Sequence, residues 1–204
     1  MLDVLRYFIS CSRDTLDAYL IQIVQTLLKC LDPNDEQLRK NSTTPVSHIL
    51  SIMVKSFPLI AFHRDNQRLA VGTSQGPIAI YDIKTSQKWK VLEGHSKKVS
   101  CCEFDVKGNL LASYSADDCT VRIWKAGNAG FFSTIMGGTG RSYKEFKLRP
   151  LGPRGDPDER PQAKTGQKAG QGRVQQIKGS QPPAGAKCKI RFVNNDKAIE
   201  LTRE

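Results

Sequence analysis

Apolar residues recur at steps of three and four from Leu16 to Leu31, through Leu20, Ile23, Val24, Leu27 and Leu28. That is a single stripe along one helix. Asp14 or Thr15 serves as its cap, Asp17 suits the positive end of the dipole, and Asp32-Pro33 stops it. A polar connection is expected over 34–44, with at most one short helical turn. Thr44-Pro45 then reads as an N-cap followed by proline at the first helical position. Val46, Ile49, Leu50, Met53 and Phe57 form the second stripe, ended by Pro58. Such stripes need a partner surface, either each other, further helices, or the side of the strand-like region beyond Pro58.

From Leu59 the period shortens. Short apolar runs fall at Leu59–Phe62, Arg68–Thr73, Pro77–Ile83 and Trp89–Leu92, with turn residues between them. A second set falls at Val99–Phe104, Leu110–Ser115 and Thr120–Trp124, broken by Gly108-Asn109 and by Ala116–Cys119. Tyr81 precedes Trp124 by 43 residues, and Leu69-Ala70 precedes Leu111-Ala112 by 42. Two matching offsets mark an internal repeat.

The second set opens with Gly94-His95 and closes with Trp124-Lys125. It resembles a WD40 repeat, the four-stranded blade of a β-propeller, with Trp-Lys in place of Trp-Asp. The resemblance makes His95, Ser113, Asp118 and Trp124 a structural tetrad, a buried hydrogen-bond chain that fixes strand register. Asp118 lies six residues before Trp124, the usual spacing. Ser113 lies five before Asp118, one more than usual, so an extra turn residue or bulge is expected, with Asp117 as the alternative acid. A Ser-His-Asp hydrolase triad would use the same residue types. No Gly-x-Ser-x-Gly elbow surrounds Ser113, and the repeat accounts for all of them. The first set is a blade without this chain: Tyr81-Asp82 stands where Trp-Asp would, and His63 is an ordinary strand-end residue.

Beyond Trp124, Phe131–Ile135 is expected as the fourth strand of the second blade, and Ser142–Leu148 as one more strand. The run Gly137-Gly138-Thr139-Gly140 lacks the Gly-Lys-Ser/Thr of a phosphate loop. Pro, Gly, Gln and Lys dominate the stretch to Ala186, which has too few large apolar residues to offset chain entropy. A hairpin is expected around Asn194-Asn195-Asp196. The expected class is α+β: N-terminal helices (1–57), an incomplete WD40-type β-propeller of about two antiparallel blades (58–148), a disordered basic insert (149–186) and a terminal β-hairpin of a further partial blade (187–204).

Charge changes the picture only in the tail. The net charge is +11, with 16 basic and 13 acidic residues in 1–140 against 15 and 7 in 141–204. The tail's Lys and Arg carry no aromatic residues between Leu148 and Phe192, which argues for a solvated insert over a nucleic-acid interface. None of the six cysteines forms C-x-x-C, and His48, His63 and His95 lie outside zinc-site spacing. Reduced thiols, no metal and no cofactor are expected. Asp3 and Arg6 interrupt the first apolar run, so no signal peptide is expected, and Leu16–Leu31 is too short and polar to span a bilayer.

Phe57–Trp124 as a whole resembles the C-terminal WD repeats of the rabconnectin-3 beta group. The residues that carry this are Arg68-Leu-Ala-Val-Gly72, Gly76, Ala79-Ile-Tyr-Asp-Ile83, Gly94-His95, and Leu111-Ala112 through Tyr114-Ser115 to Trp124. The resemblance implies a non-catalytic cytoplasmic scaffold that partners a rabconnectin-3 alpha-like chain. It implies a link to vacuolar proton-pump assembly and vesicle trafficking, with membrane contact only through partners. It implies no small-molecule substrate. Two alternatives remain open: an unrelated WD40 adaptor, in trafficking or as a ubiquitin-ligase substrate adaptor, and nucleic-acid binding through the basic tail.

Overall fold

The computed structural model describes residues 13–127, 140, 142–148, 176–178, 188–193 and 198–203. One helical turn, α1 (Arg13–Leu16), runs through a 3-10 turn (Asp17–Tyr19) into α2 (Leu20–Lys29). Leu20, Val24 and Leu28 are its buried stripe. The second helix departs from expectation. A single α3 (Glu36–Ser56) replaces the polar connection and the start at Thr44-Pro45. Asp35 is the N-cap and accepts from the Leu38 N–H at 2.9 Å. Pro45 sits inside the helix, although an internal proline removes one backbone hydrogen bond. The Asp35 cap upstream and the buried Val46 and Met53 downstream hold the two halves in one line.

Among the described residues the strands build three sheets. The first blade has the order β1 (Ile60–His63), β2 (Arg68–Gly72), β3 (Ile78–Asp82), β4 (Gln87–Leu92), all antiparallel. The second repeats that order with β5 (Cys101–Phe104), β6 (Leu110–Ser115), β7 (Thr120–Lys125) and β8 (Lys144–Lys147). Leu69 pairs with Tyr81 in the first blade as Leu111 pairs with Trp124 in the second, so the repeat offset seen in sequence is a shared register. The fourth strand of the second blade is Lys144–Lys147, with Phe146 buried opposite Val121. The expected strand at Phe131–Ile135 lies outside the described residues.

The third sheet holds β10 (Cys188–Val193) and β11 (Ala198–Arg203), which form the expected antiparallel hairpin. A short β9 (Gln176–Lys178) adds to β11 in parallel. This corrects the expectation of disorder over 149–186 at those three residues, where edge pairing supplies backbone partners that composition does not reveal. The rest of that insert lies outside the described residues. The parallel β9 also departs from an all-antiparallel blade.

Packing divides the core at the second blade. Cys101 and Cys102 are adjacent on β5 and point to opposite faces, as strand geometry requires. Cys102, Phe104, Leu111 and Trp124 face the first blade and the helices. Cys101, Tyr114, Ile123 and Phe146 face the third sheet through Cys188, Ile190, Ile199 and Leu201. The helical stripes find their partner in the same cluster as the first blade, where Leu20, Val24, Leu28, Met53 and Phe57 are all buried. Ser86 and Arg39 both donate to the Leu31 carbonyl at 2.6 Å, tying the helix connection to the β3–β4 turn.

Candidate functional site

The polar centre of the second blade is assembled from four separate stretches of chain. His95 arrives on the connector before β5, Ser113 lies mid-β6, Asp118 sits in the β6–β7 turn, and Trp124 is near the end of β7. Trp124 Nε1 donates to Ser113 Oγ at 2.7 Å. Ser113 Oγ lies 2.7 Å from His95 Nε2, and His95 Nδ1 lies 2.9 Å from Asp118 Oδ2. With the hydroxyl oxygen accepting from the indole, its proton points to Nε2 of a neutral imidazole, and Nδ1–H points to the carboxylate. The chain therefore runs in one direction from indole to carboxylate, a polarity in which each bond strengthens the next.

Thr120 is a fifth member that the motif spacing did not single out. Its hydroxyl donates to Asp118 Oδ1 at 2.6 Å and lies 3.1 Å from His95 Nδ1, and its N–H reaches the same Oδ1 at 3.0 Å. The signal was present: Asp followed two residues later by Thr at a strand start is an Asx-type arrangement. Of the two candidate acids the structure uses Asp118, and Asp117 is exposed. The extra residue between Ser113 and Asp118 lies in a four-residue turn, Ala116–Cys119, whose last residue takes a left-handed φ of 54°. Burial works to raise the Asp118 pKa, but hydrogen bonds from His95, Thr120 and the Ser96 N–H outweigh it and leave it lowered.

Gly94 is required beside His95. A Cβ there would stand 2.8 Å from Arg122 Nη1 and 2.9 Å from Trp124 Cη2. The first blade grips the same segment from its β2–β3 turn, where Gly76 has φ +112° and a Cβ would fall 2.1 Å from the His95 carbonyl oxygen. The Val99 N–H donates to the Thr73 carbonyl at 3.0 Å. The chain of polar groups is thus locked from both blades, and its donors and acceptors are engaged with one another.

The first blade holds no such chain. Tyr81 fills the position of Trp124, and burial raises its pKa, with Gln25 of α2 pulling it back. His63 ends β1, with Nε2 3.1 Å from the Val106 carbonyl of the second blade. Cys101 and Cys188 meet with their sulfurs 3.2 Å apart, and no described cysteine is in a disulfide. Burial pushes the Cys101 and Cys102 thiols well up, so at neutral pH both stay protonated and act as small apolar groups.

A cleft of about 590 Å³ opens where α3 ends against β1, β5 and β10, lined by Lys55, Phe62, Glu103, Val106 and Lys189 among others. Burial raises the Glu103 pKa, with Arg191 and Lys189 pulling it back. Among the described residues there is no group of three or more His, Cys, Asp or Glu placed to hold a metal ion, and no helix long and apolar enough to cross a membrane.

Residues 9–145 match the family described as nucleolar protein 10-like, N-terminal domain, a β-propeller. The serine-threonine kinase receptor-associated protein of Dictyostelium discoideum is 37% identical over 65 residues, which is 32% of this chain and 22% of that protein. The WD repeat-containing protein WDS homolog of Arabidopsis thaliana is 32% identical over 63 residues, 31% of this chain and 12% of that protein. The chain thus spans about a fifth or less of these relatives. A crystal structure of the Myceliophteria thermophila Cps50 (Swd1) β-propeller domain is 25% identical, with a TM-score of 0.38, over 46% of this chain and 26% of that one. The family match spans more than half of the 204 residues and contains the first blade, the first three strands of the second and the whole tetrad, so the chain belongs to the nucleolar protein 10-like, N-terminal domain family of WD-repeat β-propellers.

Proposed function

We propose that the chain is a non-catalytic WD-repeat scaffold for protein–protein interaction. The observation that carries this is the blade centre: His95, Ser113, Asp118, Thr120 and Trp124 direct their hydrogen bonds to one another, inside the sheet. A hydrolytic triad needs its serine open to a substrate, and Ser113 is fully buried with its oxygen held by the indole. In propellers the loops and faces are what remains for partners.

The finer reading is a rabconnectin-3 beta-like subunit, partnering a rabconnectin-3 alpha-like chain and linked to vacuolar proton-pump assembly. It places the chain in the cytoplasm, peripheral on vesicle surfaces through its partners. Its support is the motif likeness over Phe57–Trp124. Titration of a purified rabconnectin-3 alpha-like chain with residues 1–204 tests it, and no binding heat at micromolar concentrations would overturn it. A second reading comes from the family match, whose description names a nucleolar protein. A fluorescent fusion separates the two: vesicle-associated signal supports the first, nucleolar signal the second.

A further inference from the structure

The outer edges of the two blades carry an excess of positive charge. β4 ends the first blade's sheet on one side and β8 the second's, opposite β1 and β5. No Asp or Glu occurs in 83–92 or in 119–144, whereas Lys84, Lys88, Lys90 and Lys125 all fall in these runs. Four carboxylates border them. Asp82 is held by Arg68 at 3.4 Å, Asp118 by His95 at 2.9 Å, and Glu145 by Arg122 at 3.0 Å. Glu93 is the remaining one, and it is exposed.

The two blades bring two of these lysines together. Lys90 Nζ crosses from β4 and donates to the Lys125 carbonyl on β7 at 3.1 Å. The Lys125 ammonium stands 5.2 Å from the centre of the Tyr143 ring, which is 37% exposed. Burial, and then the nearby Lys125 charge, hold the Lys90 pKa below its ordinary value. Two like charges side by side next to an exposed aromatic ring leave a surface suited to an incoming counter-charge. The contact joins the two blades, from the Lys90 ammonium to the Lys125 backbone.

We propose that the outer rim formed by Lys90, Lys125 and Tyr143 is a binding surface for single-stranded nucleic acid. The ammonium groups meet successive phosphates and the tyrosine ring takes a base by stacking. The exposed ring favours a nucleic acid over an acidic peptide, whose carboxylates offer no flat π-face to place there. The surface lies on the blades and is independent of the basic tail, which has no aromatic residue between Leu148 and Phe192.

The test is fluorescence anisotropy of the intact 204-residue chain with a labelled oligouridine of about 12 nucleotides, at several salt concentrations. Lys90→Ala with Lys125→Ala should weaken binding and flatten the log–log salt slope by about 1.4, two phosphates at ~0.7 each for a single strand. Tyr143→Ala should weaken binding roughly five- to a hundredfold at unchanged slope. Lys90→Arg with Lys125→Arg keeps the charges and should bind like the wild type. Lys164→Ala with Lys168→Ala, in the tail, should leave the Tyr143 dependence intact. Wild-type affinity in the alanine pair would overturn the proposal, as would equal losses in the alanine and arginine pairs. Competition by polyglutamate at equal charge, with no effect of Tyr143→Ala, would reassign the rim to an acidic protein partner and overturn it too.

Discussion

Removing the Trp124 side chain attacks the blade where packing and polarity coincide. The indole is fully buried in the same core cluster as Leu111, Val99 and the helical stripes, and its Nε1 holds Ser113. Trp124→Ala therefore loses the apolar transfer term and leaves a cavity, together worth ~3–5 kcal/mol. Against a domain stability of ~5–15 kcal/mol, that is a large part of the whole. Trp124→Phe separates the two effects, since it keeps most of the ring and removes the donor. A double-mutant cycle of Trp124→Phe with Ser113→Ala should give a coupling of ~0.5–1.5 kcal/mol for the lost hydrogen bond. Urea unfolding of residues 1–204 is the assay, followed by far-ultraviolet dichroism and by the fluorescence of Trp89, the other of the chain's two tryptophans. A Trp124→Ala variant within ~1 kcal/mol of the wild type would refute the packing argument. Additivity of the cycle within ~0.3 kcal/mol would refute the hydrogen-bond chain as a source of stability.

Three further outcomes are expected. Gly76→Ala meets both a positive φ of 112° and the His95 carbonyl at 2.1 Å, so it should cost more than the ~1 kcal/mol of an ordinary glycine replacement, read as a lowered urea midpoint at unchanged m-value. Asp118 has a lowered folded-state pKa, so its stabilisation is complete above the ordinary 3.8 and is lost as pH falls through the lowered folded value; Asp118→Asn should flatten the acid limb of a stability-against-pH curve, and an unchanged limb would refute the assignment. Asp35→Ala removes the N-cap of α3 and should cost ~1 kcal/mol with faster amide exchange in the first turn alone, whereas loss of protection past Pro45 would mean that the two halves of the helix are not independent.

The repeat was legible because a blade writes its geometry locally. Alternation sets which residues face inward, turn residues set strand ends, and the offset of 43 between Tyr81 and Trp124 reappears as equivalent cross-strand positions. The tetrad was legible through the resemblance to a WD40 blade, which implies a buried hydrogen-bond chain among His95, Ser113, Asp118 and Trp124. For Thr120 the sequence carried only the Asp-x-Thr turn signal, because its reach to both Asp118 and His95 depends on where the turn places its hydroxyl. At Pro45 the local start signal is misleading, because the cap at Asp35 upstream and burial downstream outweigh it.

What only the tertiary structure decided are the contacts between units distant in sequence. The strand beside β7 is Lys144–Lys147, which places a buried Phe146 opposite Val121. β9 pairs in parallel inside a stretch whose composition alone promises nothing, because an open edge on β11 offers it backbone partners. The helices share a core with the first blade, and Lys90 meets Lys125, for the same physical reason. A chain encodes its periods and turns within a few residues, but which apolar face covers which, and which charges are left side by side, is settled only when all the elements compete for burial at once.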